Sequence, residues 1–528
     1  MNENRFGFGS IAMVALLATS MAGCGPEAPP APMGLVCNAP QTVELPSSPS
    51  RALGWKGPGG PKKTFTTDLI GQNCAFLDGG PEDDVDHHNA VTMLDGYLVM
   101  PWAPEWGGGG ISMFSFDDPC APVEAGTGFS PLMRETHATG FYKKDGWQAV
   151  VNGVSGVQFW DLSNPQLPVV TSDLSINGVF WPDAYARVVL SVFWQAPYVY
   201  AAAADNGIFV IDAADPANPV LLTKYKFDPP LRAGGIFAVG NLLVVTAAEG
   251  SRTVLLDIGT DPARPEPIPG GTFEIEDGKG KKHEAYHAHV NGNMTLYATK
   301  TDGGGLIMYD ISDPEAPKYV GDYIAPDGNG GYVFVKEGVA FVGQSHFAEA
   351  IDISDPTKPS LIQRFDLTGD LDTIIPIGNV VVLSVDDKAD KDRGSAVAPF
   401  REAPDVAGPV VTMVHPRDGA TAQPITSRIG LTFNEFVDLG SLWEGSFIVR
   451  EVGTTNPIAG HYSGQEGIVN FWPASPLAPE TTYEVVIPAG GVVDFNGNPT
   501  TTEFRSTFTT GPCAMPPAPT PYVEEEPE

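Results

Sequence analysis

Apolar residues in this chain come in short runs, with no sustained spacing of three and four. "YLVMPW" (Tyr97–Trp102), "LLVVTAA" (Leu242–Ala248) and "VAFVGQS" (Val339–Ser345) are representative. Short runs bounded by Gly, Pro, Asn and Asp predict strands and turns, not helices. Many follow a two-residue turn: Asp95-Gly96, Asp145-Gly146, Gly240-Asn241 or Glu337-Gly338. A tight turn between two runs predicts an antiparallel hairpin. A Gly-containing loop then leads to a third run, such as "GISMFSF" (Gly110–Phe116) or "GIFVIDA" (Gly207–Ala213). A proline turn follows, and then a fourth run, such as "PVLLTKYKF" (Pro219–Phe227).

The proline turn is a repeated phrase. It reads "SFDDPCAP" from Ser115, "WDLSNPQLP" from Trp160, "IDAADPANP" from Ile211 and "LDIGTDPARP" from Leu256. It ends with "DISDPEAP" from Asp310 and "DISDPTKP" from Asp352. The six prolines, Pro119, Pro165, Pro216, Pro262, Pro314 and Pro356, lie 42 to 52 residues apart. Four strands in a period of this length is the pattern of a β-propeller blade. Proline cannot donate to a ladder and so ends the third strand. The flanking Asp or Ser can bond neighbouring amides. The repeated aspartates are therefore expected to shape turns rather than to catalyse.

The signature "G-[LI]-x-[VM]-x-D-I-S-D-P-x-x-P" resembles the LVIVD repeat, a propeller-forming motif of bacterial and archaeal surface proteins. The resemblance covers about Lys62 to Arg401. It implies a fold and a location, not a reaction. Six phrases close six blades, and "DTIIPIGNVVVLSVDD" with "GSAVAPF" supplies three more strands. If "KKTFTTDLI" (Lys63–Ile70) pairs as the outermost strand of that last sheet, the ring closes with seven blades. Six or eight blades are the alternatives.

The pattern changes near Ala403. Alternation is clear in Thr482–Ile487 and Phe504–Thr509, and about seven short strands fit the remaining length, the size of an immunoglobulin-like sandwich. "HPRDGAT" (His415–Thr421), "LTFNEFVD" (Leu431–Asp438) and "VDFNGNP" (Val493–Pro499) resemble the SbsA-type bacterial Ig-like domain. That resemblance implies a spacer or adhesive module. The fold class expected is thus all-β: a seven-bladed β-propeller followed by an Ig-like β-sandwich. The expected domains are 1–24 lipoprotein signal peptide, 25–61 Pro-rich linker, 62–402 LVIVD-repeat propeller, 403–511 bacterial Ig-like domain and 512–528 disordered acidic tail.

The N-terminus reads as an address. Arg5 precedes an apolar core from Ile11 to Ala18, and Met21-Ala22-Gly23-Cys24 resembles a bacterial lipobox, which implies cleavage before Cys24 and its lipidation. The alternative is an ordinary secretory signal with an incidental cysteine. Gly25, rather than Asp, beside the cysteine permits sorting to an outer membrane. The expected location is extracytoplasmic, lipid-anchored at the outer membrane or cell surface. The other four cysteines allow three pairings. Cys37 and Cys513 flank the folded mass and Cys74 and Cys120 flank the first repeat; these are the expected pairs, with buried free thiols the alternative. A net charge of −34, from 64 acidic and 30 basic residues, disfavours nucleic acid as a partner.

Histidines are the sharpest anomaly. Only nine occur, and His87, His88, His137, His287 and His289 fall where inner strands begin. Inner strands line a propeller's channel. Candidate ligand-binding residues are therefore His88, His137, Arg232, His287 and His289. His287 and His289, at i and i+2, share a strand face. With His137 they make a candidate Zn or Cu set. The alternative is a polar, water-filled channel. The acidic stretches "PEDDVDHH" (Pro81–His88) and "DDKADKDRG" (Asp386–Gly394) are weaker candidates for Ca. No phosphate loop, nucleophile elbow, Cys-x-x-Cys or HExxH occurs. No catalytic residue is assigned, and Zn, Cu or Ca are the candidate cofactors, none of them fixed by the sequence. The reading is a surface module that binds or scaffolds a protein or glycan, held to the membrane by lipid. A metal-dependent enzyme at the channel mouth is the rival.

Overall fold

The computed structural model describes residues 37–45, 60–77, 91–103, 107–181, 186–300, 303–390 and 393–523. Seven four-stranded antiparallel sheets follow one another along the chain. Blade 1 runs from Thr92–Leu94 to Val123–Ser130, and blade 6 from Val333–Lys336 to Ser360–Phe365. Blade 7 takes three strands from Thr373–Ile377, Val380–Ser384 and Ser395–Pro399, and its outermost from Ala75–Leu77 near the other end of the chain. The ring is thus a seven-bladed propeller closed by a two-ended latch. The latch differs from the expectation in place. Lys63–Ile70 is not a strand, and Thr67–Leu69 forms a 3-10 turn. A polar Thr-Thr-Asp stretch has no alternating face to offer a sheet, whereas Phe65 is buried at the seam.

The Asp-Pro phrase is a double clasp. Its first aspartate accepts from the amide two residues on, as in Ser312 N to Asp310 Oδ1 at 2.7 Å and Ser354 N to Asp352 Oδ1 at 2.9 Å. Its second repeats the move, as in Glu315 N to Asp313 Oδ1 at 3.2 Å. Successive turns of this kind reverse the chain within a few residues. The turn then seats on the preceding blade. Ser172 Oγ donates to the Pro216 carbonyl (2.6 Å) and Thr223 Oγ1 to that of Ala263 (2.7 Å). At Gly321 a Cβ would lie 2.1 Å from the Pro356 carbonyl oxygen, so only glycine admits that approach. Between blades the fill is apolar. Leu296, Leu306 and Met308 of blade 5 meet Val333, Ala340 and Val342 of blade 6. Each such side chain contributes about 1.5–3 kcal/mol on burial.

The C-terminal module is a two-sheet sandwich. One sheet orders Val411–His415, Ile429–Phe433, Ile468–Pro473 and Gly460–Gln465; the other orders Ala420–Gln423, Phe504–Thr510, Thr482–Ile487 and Ile448–Glu451. Phe433, Phe447, Phe471 and Phe508 fill it. The sandwich is welded to the propeller. Ser463 and Gly464 pair with Tyr142 and Phe141 of blade 2, joining the two modules in one eight-stranded sheet.

Further bonds reach the inner hairpins of blades 1, 3, 4, 5 and 6. Asp438 accepts from the amides of Asp95 (2.8 Å) and Gly96 (2.6 Å) in blade 1. Asn470 accepts from Gln195 Nε2 in blade 3 (3.0 Å) and from Gly240 N in blade 4 (2.8 Å). Thr432 Oγ1 accepts from Gly292 N of blade 5 (3.1 Å), and the Asn434 carbonyl from Glu337 N of blade 6 (2.8 Å).

Disulfides join Cys37 to Cys513 and Cys74 to Cys120. Of the expected 25–61 linker, the described stretch 37–45 is bonded to the sandwich. Val43 N donates to the Pro457 carbonyl (2.8 Å) and Ala459 N to that of Gln41 (2.7 Å), lining the linker along the sandwich. The described part of the 512–528 tail is not free either: Tyr522 N donates to the Leu221 carbonyl of blade 3 at 2.8 Å. The disulfide at Cys513 fixes where the tail starts, and its prolines hold an extended chain at little entropic cost.

Candidate functional site

Inner strands run from the free face of the propeller toward the Ig-like module, so their side chains stack in layers along the channel. Arg232 stands at the rim, one-third exposed. Its guanidinium lies 3.3 Å from Asp205 Oδ1 and 3.4 Å from Glu249 Oε2. Glu249 also holds the Lys300 ammonium at 3.3 Å. That ammonium lies 4.4 Å over the Tyr286 ring, a cation–π roof.

Under this roof lies the imidazole layer. The strand Glu284–Asn291 changes register between Ala285 and His287, a bulge that brings consecutive residues, Tyr286 and His287, to the channel. Both face His137, which precedes the inner strand of blade 2. The Tyr286 hydroxyl is 3.4 Å from His137 Nε2, and the rings of His137 and His287 are 6.3 Å apart. Glu135 Oε1 is 2.5 Å from the same His137 nitrogen. Tyr332 closes the layer, its ring 4.4 Å from His287 and 5.7 Å from His137.

One layer deeper, His289 meets Phe237 and Phe334. Its Nδ1 lies 3.1 Å from Glu466 Oε2, at the tip of a hairpin of the Ig-like module. The module therefore enters the channel from that end.

Three of the five predicted residues, His137, His287 and His289, share the channel, and His287 and His289 use one strand face as expected. Arg232 sits above them, linked through Glu249, Lys300 and Tyr286. His88 lies outside the described residues, as does the acidic stretch 81–88. The three histidines do not converge as a metal set. Among the described residues, only Glu337, Asp405 and Glu435 bring three such donor atoms within 4.8 Å of one another, and they lie at the module junction. There the Lys336 ammonium, bonded to Asp405 and Glu435, supplies the positive charge.

The His287 tautomer also disfavours ligation. Its Nδ1 accepts from Ala288 N at 3.0 Å, so the neutral ring carries its proton on Nε2 and presents a donor, not a lone pair. That Nε2 is buried, and the backbone of His137 also lies within bonding reach of the ring. Burial, and then the neighbouring His137, pull the His287 pKa down to about 3. The layer can thus donate from His287 and hold a carboxylate-oriented imidazole at His137. Tyr286 and Tyr332 were missed in the sequence because tyrosine reads as core. Their place beside inner-strand starts, like that of the histidines, was the available signal.

A pH dependence follows. The unfolded chain protonates His287 near its ordinary pKa of about 6.5, and the folded chain resists this down to about 3. Between these values the unfolded state binds more protons, so stability falls as pH falls. Denaturant unfolding of wild type and His287→Gln, compared at pH 6 and pH 4, should show wild type losing about 1.4 kcal/mol more per pH unit. Parallel profiles would mean that the ring is not enclosed.

Family models match in two places: the LVIVD repeat over residues 192–226 and 327–367, and the bacterial Ig-like domain over 405–510. The chain carries both. No curated protein matches it. Among solved structures, the computationally designed Ika8 protein is 13% identical, with 76% of this chain and 100% of that one covered and a TM-score of 0.40. The periplasmic gluconolactonase PpgL of Pseudomonas aeruginosa is 13% identical, with coverage of 59% and 88% and a TM-score of 0.43. PorZ, a surface component of the type-IX secretion system of Porphyromonas gingivalis, is 12% identical, with coverage of 82% and 60% and a TM-score of 0.43.

Proposed function

We propose that the protein is an extracytoplasmic binding platform, anchored by a lipid on Cys24, that engages a protein or glycan at a bacterial cell surface. The observation that carries this reading is the docking of the Ig-like module onto the inner hairpins. That contact occupies one face of the propeller; the opposite rim, which among the described residues carries Arg232, Glu249 and Lys300, is the face we assign to a partner. Two disulfides support an oxidising compartment. No helix among the described residues is long and apolar enough to cross a membrane.

The platform reading has a two-part test. Cys24→Ser should abolish incorporation of a clickable fatty acid and move the protein from the membrane fraction to the soluble one. Purified chain starting at residue 25 should bind cells or envelope fractions through its rim, with Arg232→Glu/Lys300→Glu weakening binding about tenfold or more. Unchanged labelling of Cys24→Ser would remove the anchor. Full binding by the folded charge-reversed variant would remove the rim.

A further inference from the structure

A second cavity lies away from the channel, at the junction of blade 3, blade 4, the sandwich and the tail. Its volume is about 400 Å³, within the range of small-molecule sites. Tyr198 and Trp472 line it with Pro262, Pro473 and the tail prolines Pro516 and Pro517. Into these mostly apolar walls the sandwich places Arg428, at the start of its Ile429–Phe433 strand and 5% exposed.

This guanidinium is unusual in its company. Carboxylates outnumber cations about two to one in the chain. Yet no carboxylate pairs with Arg428 among the described residues. Its Nη1 donates to the Thr426 carbonyl (2.9 Å), and its guanidinium carbon lies 5.2 Å from the Tyr198 ring centre. The Tyr198 hydroxyl takes a further bond. Its Nε, shielded from water, has no partner, and neither does the Ser475 hydroxyl lining the same cavity. Asp261, the acidic residue of the lining, is engaged by Arg264 at 2.8 Å. Burial lowers the Arg428 pKa, but an arginine stays charged at any physiological pH.

Asp261 acts on this guanidinium only through space, and a buried charge with no carboxylate bonded to it stays costly unless something neutralises it. We infer that this cavity is a binding site for a small monocarboxylate with a flat apolar body, its carboxylate on Arg428 and Ser475 and its body against Tyr198, Trp472 and the prolines. Arginine is the side chain suited to planar carboxylate recognition. A single cation in a chain of net charge −34 selects against polyanions such as nucleotides.

Isothermal titration of the full mature chain with phenylacetate and its uncharged counterpart 2-phenylethanol tests the assignment. Phenylacetate should bind at millimolar concentration or tighter, and the alcohol at least tenfold more weakly. Arg428→Gln should remove that difference. Ser475→Leu removes the hydroxyl and narrows the cavity, leaves the guanidinium in place and should weaken phenylacetate binding about tenfold, which keeps the test intact if Arg428→Gln does not fold. Equal affinity for acid and alcohol, no binding of phenylacetate by folded wild type, or full binding by Ser475→Leu would overturn it.

Discussion

Replacing Lys336 by methionine should lower the unfolding free energy by about 3–5 kcal/mol, the cost of stranding buried carboxylates. Lys336 ends the inner strand of blade 6 and is 2% exposed. Its ammonium bonds Asp405 Oδ2 at 2.5 Å and the carboxylate of Glu435, both contributed by the chain that builds the Ig-like module. Burial opposes the ammonium, but Glu435, Asp405 and Glu337 outweigh it and hold the Lys336 pKa above its ordinary value. The same burial lifts Glu435 to about 8 even with the lysine beside it. Without Lys336 nothing opposes that burial.

Two measurements separate a lost ion pair from lost packing. Lys336→Met/Glu435→Gln should recover part of the loss, because one of the two stranded carboxylates is removed while Asp405 stays. The Lys336→Met defect should also shrink on acidification. Wild-type Glu435 is already raised to about 8, and without the lysine it rises further, so only above about pH 8 does the variant carry a proton cost that wild type does not, and the defect is largest there. Denaturant titrations at about pH 9.5 and pH 6 decide it; a defect of equal size at both, unrelieved by the second substitution, would place the cause in side-chain volume.

The blades were legible because their logic is local. The Asp-Pro phrase announces its own turn, and "FVGQS" or "LIMYD" alternates without reference to anything distant. The sandwich was legible for the same reason in Thr482–Ile487. What stayed hidden is long-range. Nothing in "GHYSGQ" (Gly460–Gln465) signals that it will pair with Phe141 and Tyr142, more than 300 residues earlier. Asn470 reads as an ordinary polar position in a strand. Only the folded chain shows it buried between Gln195, Gly240 and Ala238. The latch was expected at Lys63–Ile70 and found at Ala75–Leu77 because a three-residue strand is too short to carry a period. The channel histidines were visible through repeat alignment, yet their partners were not: Tyr332 resembles core, and Glu466 comes from the other module. Arg428 was invisible as a site because its meaning lies in its folded surroundings, where no carboxylate bonds it among the described residues and the one in its cavity lining, Asp261, is bonded to Arg264.

Cys74→Ser/Cys120→Ser should cost about 4 kcal/mol, the loop-closure entropy of the 46-residue separation. The position gives that cost a specific consequence. Cys74 directly precedes Ala75–Leu77, the outermost strand of blade 7, and Cys120 sits in the first Asp-Pro turn, in blade 1. The bond therefore crosses the seam of the ring. Three residue pairs, Ala75 with Val397, Phe76 with Ala396 and Leu77 with Ser395, are the ladder that closes blade 7. So short a strand holds its place weakly by itself. Around it Leu77, Met93 and Phe114 pack with Ile375, Val382 and Val397, apolar faces from both sides of the seam. Once the latch strand leaves, Ser395–Pro399 becomes an open edge. Native-state hydrogen exchange should then show protection lost first at Ser395–Pro399 and in blade 1, while Ile429–Phe433 in the sandwich keeps its protection. A loss below about 1 kcal/mol with the Ser395–Pro399 amides still protected would show that seam packing alone closes the ring.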